Sequence, residues 1–142
     1  MGPPNSIMKF LRVGVTGKEI PAIIDENEII RDLSTVIDEL NSNTLNDATI
    51  QLVKNTNLKK LKEIPNNIRI GECVSKPGKV IGIGLNYSDH AEETGMKPPK
   101  EPIIFFKANA CISGPYDNVV LPKKSQKTDW EIELGIIIGK KA

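Results

Sequence analysis

The sequence is poor in the residues that build disulfide scaffolds and compact metal sites. It has two cysteines, Cys73 and Cys111, and one histidine, His90, among 142 residues. The two cysteines are far apart and outside any C-x-x-C spacing, which argues against a zinc ribbon or a disulfide-bonded fold. We therefore expect free thiols in a reducing compartment, and a cytoplasmic location.

An excess of one charge and long apolar runs are also missing. Nineteen Lys and Arg residues oppose eighteen Asp and Glu residues, so the net charge is +1 and no general attraction to nucleic acid is expected. The apolar stretches are far shorter than the ~20 residues that cross a bilayer, and the N-terminus lacks the pattern of a signal peptide. The sequence predicts neither a nucleic-acid partner nor a membrane partner.

The first half predicts a small α/β domain over residues 8–70, with Met8 as a candidate start. Three short β-prone runs separated by turn residues are typical of an antiparallel meander: KFLRVGV, PAIIDE and NEII. Apolar residues at helical spacing predict two helices, RDLSTVIDELN and NDATIQLVKNTN. A Lys-rich stretch broken by prolines and glycines, from Leu58 to Lys79, predicts a boundary or linker.

The second half, residues 71–142, predicts mainly strands. KVIGIGL is typical of a buried strand, HAEET of a short helix closed by Gly95, and three further strands are predicted at IIFFK, VVLP and DWEIELGIII. The glycines of GIG lie between a strand and a helix, as in dinucleotide-binding proteins, but Tyr87 stands where the third glycine of that motif belongs. We therefore do not expect a dinucleotide site.

His90 and Glu93 lie three residues apart on the predicted helix. With Asp89 as the N-cap, Glu92 falls at the third helical position, which is a variant of the capping box. His90 and Glu93 then share one helix face. A carboxylate beside an imidazole fixes its tautomer and makes it a useful base near neutral pH. The alternative is a solvent-exposed first turn in which His90 has no chemical role.

Glu131 and Glu133 alternate with apolar residues on the predicted closing strand. Residues two apart on a strand point to one face, about 6.5–7 Å apart, and two carboxylates at that spacing suit Mg²⁺ or Mn²⁺. The alternative is a half-exposed strand with its acids in water. The continuous apolar run from Leu134 to Ile138 favours burial on both faces. Lys107, at the end of IIFFK, either binds an anionic substrate group or extends into solvent from a strand end.

Four motifs of the second half, in this order and spacing, resemble the fumarylacetoacetate hydrolase family: GIGLNYSDHAEETG, EPIIFFK, SGPYDNVVLP and TDWEIELGIIIGKKA. The resemblance is closest to bacterial-type members, which include dienedioate isomerases, ureidoglycolate lyases, acylpyruvate hydrolases and diketo-sugar-acid hydrolases. It covers Lys79 to Ala142, and the first 78 residues fit the family's small N-terminal domain only loosely. The implied fold is α+β and mainly β, with a small N-terminal α/β meander domain followed by the first part of a mixed β-roll.

The resemblance also implies roles for the candidate residues. Glu131 and Glu133 become two ligands of a divalent metal, His90 and Glu93 a catalytic base dyad, and Lys107 a substrate-binding residue. The family's third metal ligand is an aspartate on a strand beyond the E-x-E strand. Nothing up to the end of the sequence matches it, so the catalytic domain is expected to be incomplete at its C-terminal end.

The expected activity is that of a hydrolase, lyase or isomerase of a small 2-oxo or 2,4-dioxo acid. The substrate would chelate the metal, which would stabilise an enolate, while His90 takes a proton from water. The same site suits hydrolysis, isomerisation or decarboxylation, and the family resemblance implies a homodimer. The alternative hypothesis is an inactive fragment or an interaction module, in which the acids only decorate a strand.

Overall fold

A computed structural model of the chain describes residues 7–139. It divides into two compact units, one formed by the residues up to Ser75 together with those from Ser113 onward, and the other by Lys76–Ile112. The described residues are mainly β, with two open antiparallel sheets and two small α-helices.

A four-stranded antiparallel sheet forms the centre of the first unit. Its strands are β1 (Lys9–Val13), β2 (Ile20–Ile24), β3 (Ile30–Asp32) and β4 (Glu63–Ile64), in the order β1-β2-β3-β4. The predicted meander is therefore confirmed. The fourth strand comes from the Lys-rich stretch predicted to hold a boundary or linker, and its residue Ile64 pairs with Ile30. An isolated bridge between Val13 and Ile70 adds a further contact to β1.

The predicted helix RDLSTVIDELN is wrong. Arg31 and Asp32 continue β3, and the Asp32 carboxylate accepts a hydrogen bond from the Ser34 amide at 2.8 Å, which starts a turn. A side chain that bonds its own backbone in this way competes with helix formation. The apolar residues at helical spacing are nevertheless buried, and they form one core cluster with residues from the sheet and a helix: Ile23, Leu33, Ile37, Leu40 and Val53.

The second predicted helix is confirmed as α1 (Asp47–Asn55). Asn46 is its N-cap, and the Asn46 side-chain oxygen accepts a hydrogen bond from the Thr49 amide at 3.0 Å. This bond satisfies one of the amides that a helix N-terminus leaves without a backbone partner. α1 buries Val53 in the core and leaves Leu52 half exposed, so its apolar face is narrower than the sequence pattern indicated.

The second unit is built on a two-stranded antiparallel sheet. β5 (Val80–Gly84) pairs with β6 (Ile103–Lys107), so both strands predicted here are present. The prediction that β5 is buried is wrong, because Ile81 is 52% exposed and the other apolar residues of this sheet are also in contact with solvent. Two strands alone cannot cover both of their faces.

A short helix, α2 (Ser88–Glu93), follows β5, and Gly95 ends it with a positive φ of 69°. The predicted cap at Asp89 is wrong by two positions. Tyr87 is the N-cap and makes no side-chain cap hydrogen bond, while Asp89 lies in the first turn and accepts a hydrogen bond from the His90 amide at 2.9 Å. A capping box between Asp89 and Glu92 is therefore not formed.

The segment after the SGPYDN turn forms no strand within residues 118–139, so the strands predicted at VVLP and DWEIELGIII are wrong for this structure. Trp130, Ile132, Leu134 and Ile136 are each more than three-quarters exposed. A strand requires a neighbour to complete its hydrogen bonds, and an apolar run requires a surface to cover it. The described part of the chain supplies neither to this segment. Separately, no helix among the described residues is long and apolar enough to cross a membrane.

Candidate functional site

α2 holds His90 and Glu93 one helical turn apart, and both residues are exposed. Thr94 donates a hydrogen bond from its hydroxyl to the His90 carbonyl at 3.0 Å, which helps close the helix. Within residues 7–139, neither a hydrogen bond nor an ion pair joins the His90 and Glu93 side chains. The structure thus places the two residues on one helical turn without bringing their side chains into contact.

Lys107 ends β6, opposite Val80 at the start of β5. Its ammonium lies 5.9 Å from the centre of the Phe105 ring, a cation–π distance. Phe105 itself pairs with Gly82, and a Cβ added at Gly82 would collide with the Phe105 ring. The first glycine of GIG is thus explained by the space that its aromatic cross-strand neighbour needs.

Glu131 and Glu133 lie in the part of the first unit that follows the SGPYDN turn and forms neither helix nor strand, and both are exposed. Asp129, just before them, accepts a hydrogen bond from the Trp130 amide at 2.9 Å. Across the described ranges, no group of three or more His, Cys, Asp or Glu residues lies close enough together to hold a metal ion. Two carboxylates are a chemically suitable start of a Mg²⁺ or Mn²⁺ site, because both ions prefer oxygen ligands.

The most developed polar structure is one that the sequence patterns did not predict. Arg12 lies in β1 with its side chain 5% exposed. Its Nε and Nη2 atoms donate to the two oxygens of Glu39 at 2.8 and 2.9 Å. Its Nη1 atom lies 2.7 Å from Glu72 Oε1, and its Nη2 atom lies 3.6 Å from Glu19 Oε2. One arginine thus faces three carboxylates inside the first unit.

A second arginine extends this network. Glu19, whose side chain is 1% exposed, also accepts a hydrogen bond from Arg69 Nη1 at 2.6 Å. Arg69 Nε and Nη2 donate to the two oxygens of Asp117 at 2.8 and 2.6 Å. We call the residues joined in this way the ionic chain: Glu39, Arg12, Glu19, Arg69 and Asp117.

The arginines determine the protonation of these acids. Burial of Glu19 would raise its pKa, but backbone hydrogen bonds and the Arg69 guanidinium outweigh burial and hold the pKa below its ordinary value. The same balance, with Arg12 as the main partner, lowers the pKa of Glu39. For Asp117, the hydrogen bonds from Arg69 are the largest cause of a lowered pKa. All three acids are therefore charged at neutral pH.

One signal in the sequence could have indicated this network. Arg12 interrupts the apolar strand KFLRVGV, and a charged residue inside such a run is buried only when it is paired. The identity of its partners could not have been found in this way, since Glu39 lies 27 positions away along the chain.

Comparison with known proteins identifies relatives of the chain. Residues 79–142 match the family model described as fumarylacetoacetate (FAA) hydrolase, C-terminal. A protein of Burkholderia ambifaria named "Putative hydrolase" is 48% identical over 132 residues, which are 93% of this chain and 47% of that protein. A protein of the same name from Burkholderia orbicola is 48% identical over 134 residues, which are 94% of this chain and 48% of that protein. The chain spans about half the length of the curated relatives it matches.

Proposed function

The chain belongs to the fumarylacetoacetate hydrolase family through residues 79–142, and we propose that it carries part of the active site of a divalent-metal-dependent enzyme that acts on a small 2-oxo or 2,4-dioxo acid. The hydrolase name of the relatives supports a hydrolytic reaction. Isomerisation and C–C lyase chemistry use the same kind of site and remain within the proposal.

The observation that carries the proposal is the pair Glu131 and Glu133 within the matched segment. On an extended backbone, residues two apart point the same way, so the two carboxylates can face one cation. Both are hard oxygen donors, the type of ligand that Mg²⁺ and Mn²⁺ bind. A bound Mg²⁺ or Mn²⁺ would supply Lewis-acid stabilisation of negative charge on the substrate's oxo oxygen.

His90 and Glu93 are the proposed catalytic base and its orienting group. A turn of helix separates them, so a rotamer change brings the carboxylate of Glu93 to the imidazole of His90. In that arrangement His90 takes a proton from water, and the resulting hydroxide attacks the substrate carbonyl. Lys107 is the proposed partner of the substrate carboxylate, because its ammonium is a point charge on a flexible stem.

We also propose the finer organisation of the fold. Residues 8–70 form a small N-terminal domain, and residues 71–142 belong to the catalytic domain, in which β5 and β6 are strands of a mixed β-roll. The exposed apolar side chains of these elements support this proposal, since such surfaces are normally covered. The proposed protein is a homodimer located in the cytoplasm. The two exposed free cysteines suit such a reducing compartment.

Metal titration tests the proposal directly. We expect Mn²⁺ to bind the wild-type chain, as measured by calorimetry or by the electron paramagnetic resonance signal of free Mn²⁺. Glu131→Gln and Glu133→Gln should each weaken binding. Asp129→Asn is the matched control, because it removes one carboxylate from the same segment at a position with no proposed ligand role. Equal binding by all four proteins would contradict the assignment of the two glutamates.

Turnover of acylpyruvates provides the second test. In a protein that turns over the substrate, His90→Ala should slow the reaction while leaving Mn²⁺ binding unchanged. Glu131→Gln should reduce both. Mn²⁺ binding without turnover of any 2,4-dioxo acid would instead support the alternative function, an interaction module that lacks a complete active site.

A further inference from the structure

The SGPYDN turn is held to the N-terminal sheet by a charged contact. The Asp117 carboxylate binds two nitrogens of Arg69, at 2.8 and 2.6 Å, and its Oδ2 atom also accepts a hydrogen bond from the Gly114 amide at 2.8 Å. The Asp117 amide donates to the Gly114 carbonyl at 3.1 Å. A two-point contact between guanidinium and carboxylate fixes the orientation of both groups. The turn is thus closed on itself and fixed on Arg69.

Arg69 is itself fixed from the other side. Its Nη1 atom donates to Glu19 Oε1 at 2.6 Å and to the Gly14 carbonyl at 3.1 Å. Its own carbonyl accepts a hydrogen bond from the Gly14 amide at 2.9 Å. The buried Glu19 carboxylate also accepts from the Gly17 amide at 3.0 Å. Three of these contacts join Arg69 to the loop between β1 and β2, and the fourth holds Glu19 within that loop, so Arg69 is a fixed point rather than a mobile side chain.

Close backbone packing accompanies the charged contact. Gly114 is buried, and a Cβ added to it would collide with the Ile70 carbonyl oxygen. Only glycine allows this approach without a shift of the backbone. The turn therefore touches the sheet both through the Arg69 ion pair and through the backbone of the adjacent residue.

The segment fixed in this way leads to the proposed metal ligands. Residues from Ser113 onward, which include Glu131 and Glu133, belong to the same compact unit as the N-terminal sheet. We propose that Arg69 and Asp117 are positioning residues, which anchor the start of the segment that carries Glu131 and Glu133. The functional part of this inference rests on the proposed metal site. The anchoring part does not, and it has its own measurement.

Mn²⁺ affinity tests the functional part. Asp117→Asn removes the charge of the anchor and keeps its size, and Arg69→Lys keeps the charge but loses the two-point geometry. Glu63→Gln is the matched control, because it removes one carboxylate from the partly exposed Arg31–Glu63 pair in the same unit. We expect Asp117→Asn and Arg69→Lys to weaken Mn²⁺ binding about fivefold or more, and Glu63→Gln to leave it unchanged. Far-ultraviolet circular dichroism identifies variants that are folded.

Trp130 tests the anchoring part. It is the single tryptophan of the chain, it lies next to Glu131, and its side chain is 92% exposed. Time-resolved fluorescence anisotropy should show faster local motion of Trp130 in Asp117→Asn and in Arg69→Lys than in the wild type and in Glu63→Gln. This measurement needs no metal.

The outcomes separate the two proposals. If the wild type binds Mn²⁺ and a folded Asp117→Asn or Arg69→Lys variant binds it equally well, the positioning role is overturned and the metal site stands. If the wild type binds no Mn²⁺, the metal site fails and the anisotropy alone decides whether the anchor exists. Unchanged Trp130 motion in both folded variants overturns the anchor. A loss of stability in Asp117→Asn without either effect indicates an ion pair that only stabilises the unit, which also overturns the proposal.

Discussion

Replacement of Arg12 by methionine should destabilise the first unit strongly at neutral pH. The substitution keeps a long side chain in β1 but removes the guanidinium that faces Glu19, Glu39 and Glu72. The Arg12 side chain is 5% exposed and that of Glu19 is 1% exposed, so water cannot replace the lost partner. Removing one member of a buried ion pair costs about 3–5 kcal/mol, because an uncompensated charge is left inside the protein. We expect the free energy of unfolding to fall by an amount in that range.

Urea denaturation followed by circular dichroism measures this loss. Lys9→Met is the matched control, because Lys9 lies in the same strand and forms an ion pair with Glu28 in which the two side chains are 56% and 81% exposed. An exposed pair contributes at most about 1 kcal/mol, so the control should remain close to the wild type. If Arg12→Met lowers the free energy of unfolding by less than about 1 kcal/mol, the ionic chain does not stabilise the unit as we infer.

The pH dependence of the same experiment provides an independent check. In the wild type, the pKa values of Glu19 and Glu39 lie below their ordinary values, so their stabilisation is present above about pH 4.5 and is lost as the pH falls through the folded-state pKa values. In Arg12→Met, burial without the partner should raise the pKa of Glu39, and the destabilisation should grow as the pH rises. The free energies of unfolding of the two proteins should therefore differ less at pH 3.5 than at pH 7, because the glutamates take up protons between these two pH values. A difference that is constant across this range would contradict the electrostatic explanation.

Two further substitutions test the local structure of the first unit. Asn46→Ala removes the N-cap bond of α1 and should cost about 1 kcal/mol in the free energy of unfolding, whereas Gln51→Ala on the exposed face should change it by less than about 0.5 kcal/mol. Leu33→Ala should cost about 2–5 kcal/mol, because Leu33 is 0% exposed in the core cluster. Leu52→Ala, at a side chain that is 50% exposed, should cost clearly less, and a reversed order would contradict the assignment of the core.

The elements predicted correctly are those whose signals lie close together in the sequence. The meander of β1, β2 and β3 follows from short β-prone runs with turn residues between them, and α1 follows from apolar spacing with Asn46 before it. The segment RDLSTVIDELN shows where this reasoning fails. Its apolar residues are buried as their spacing indicated, but the turn at Asp32 and Ser34 buries them without a helix. The spacing of the apolar residues there indicated which side chains are buried, but it did not indicate the backbone conformation.

The sequence by itself determined the family match, the candidate carboxylates Glu131 and Glu133, the His90–Glu93 spacing and most of the N-terminal sheet, because each depends on residues near one another in the chain. Only the tertiary structure decided that residues 118–139 form no strand, since a strand forms only against a neighbour. Tertiary structure also decided the ionic chain, in which Arg69 and Asp117 are 48 positions apart. Charges so distant in sequence have no pattern that links them, and folding alone brings them within hydrogen-bonding distance.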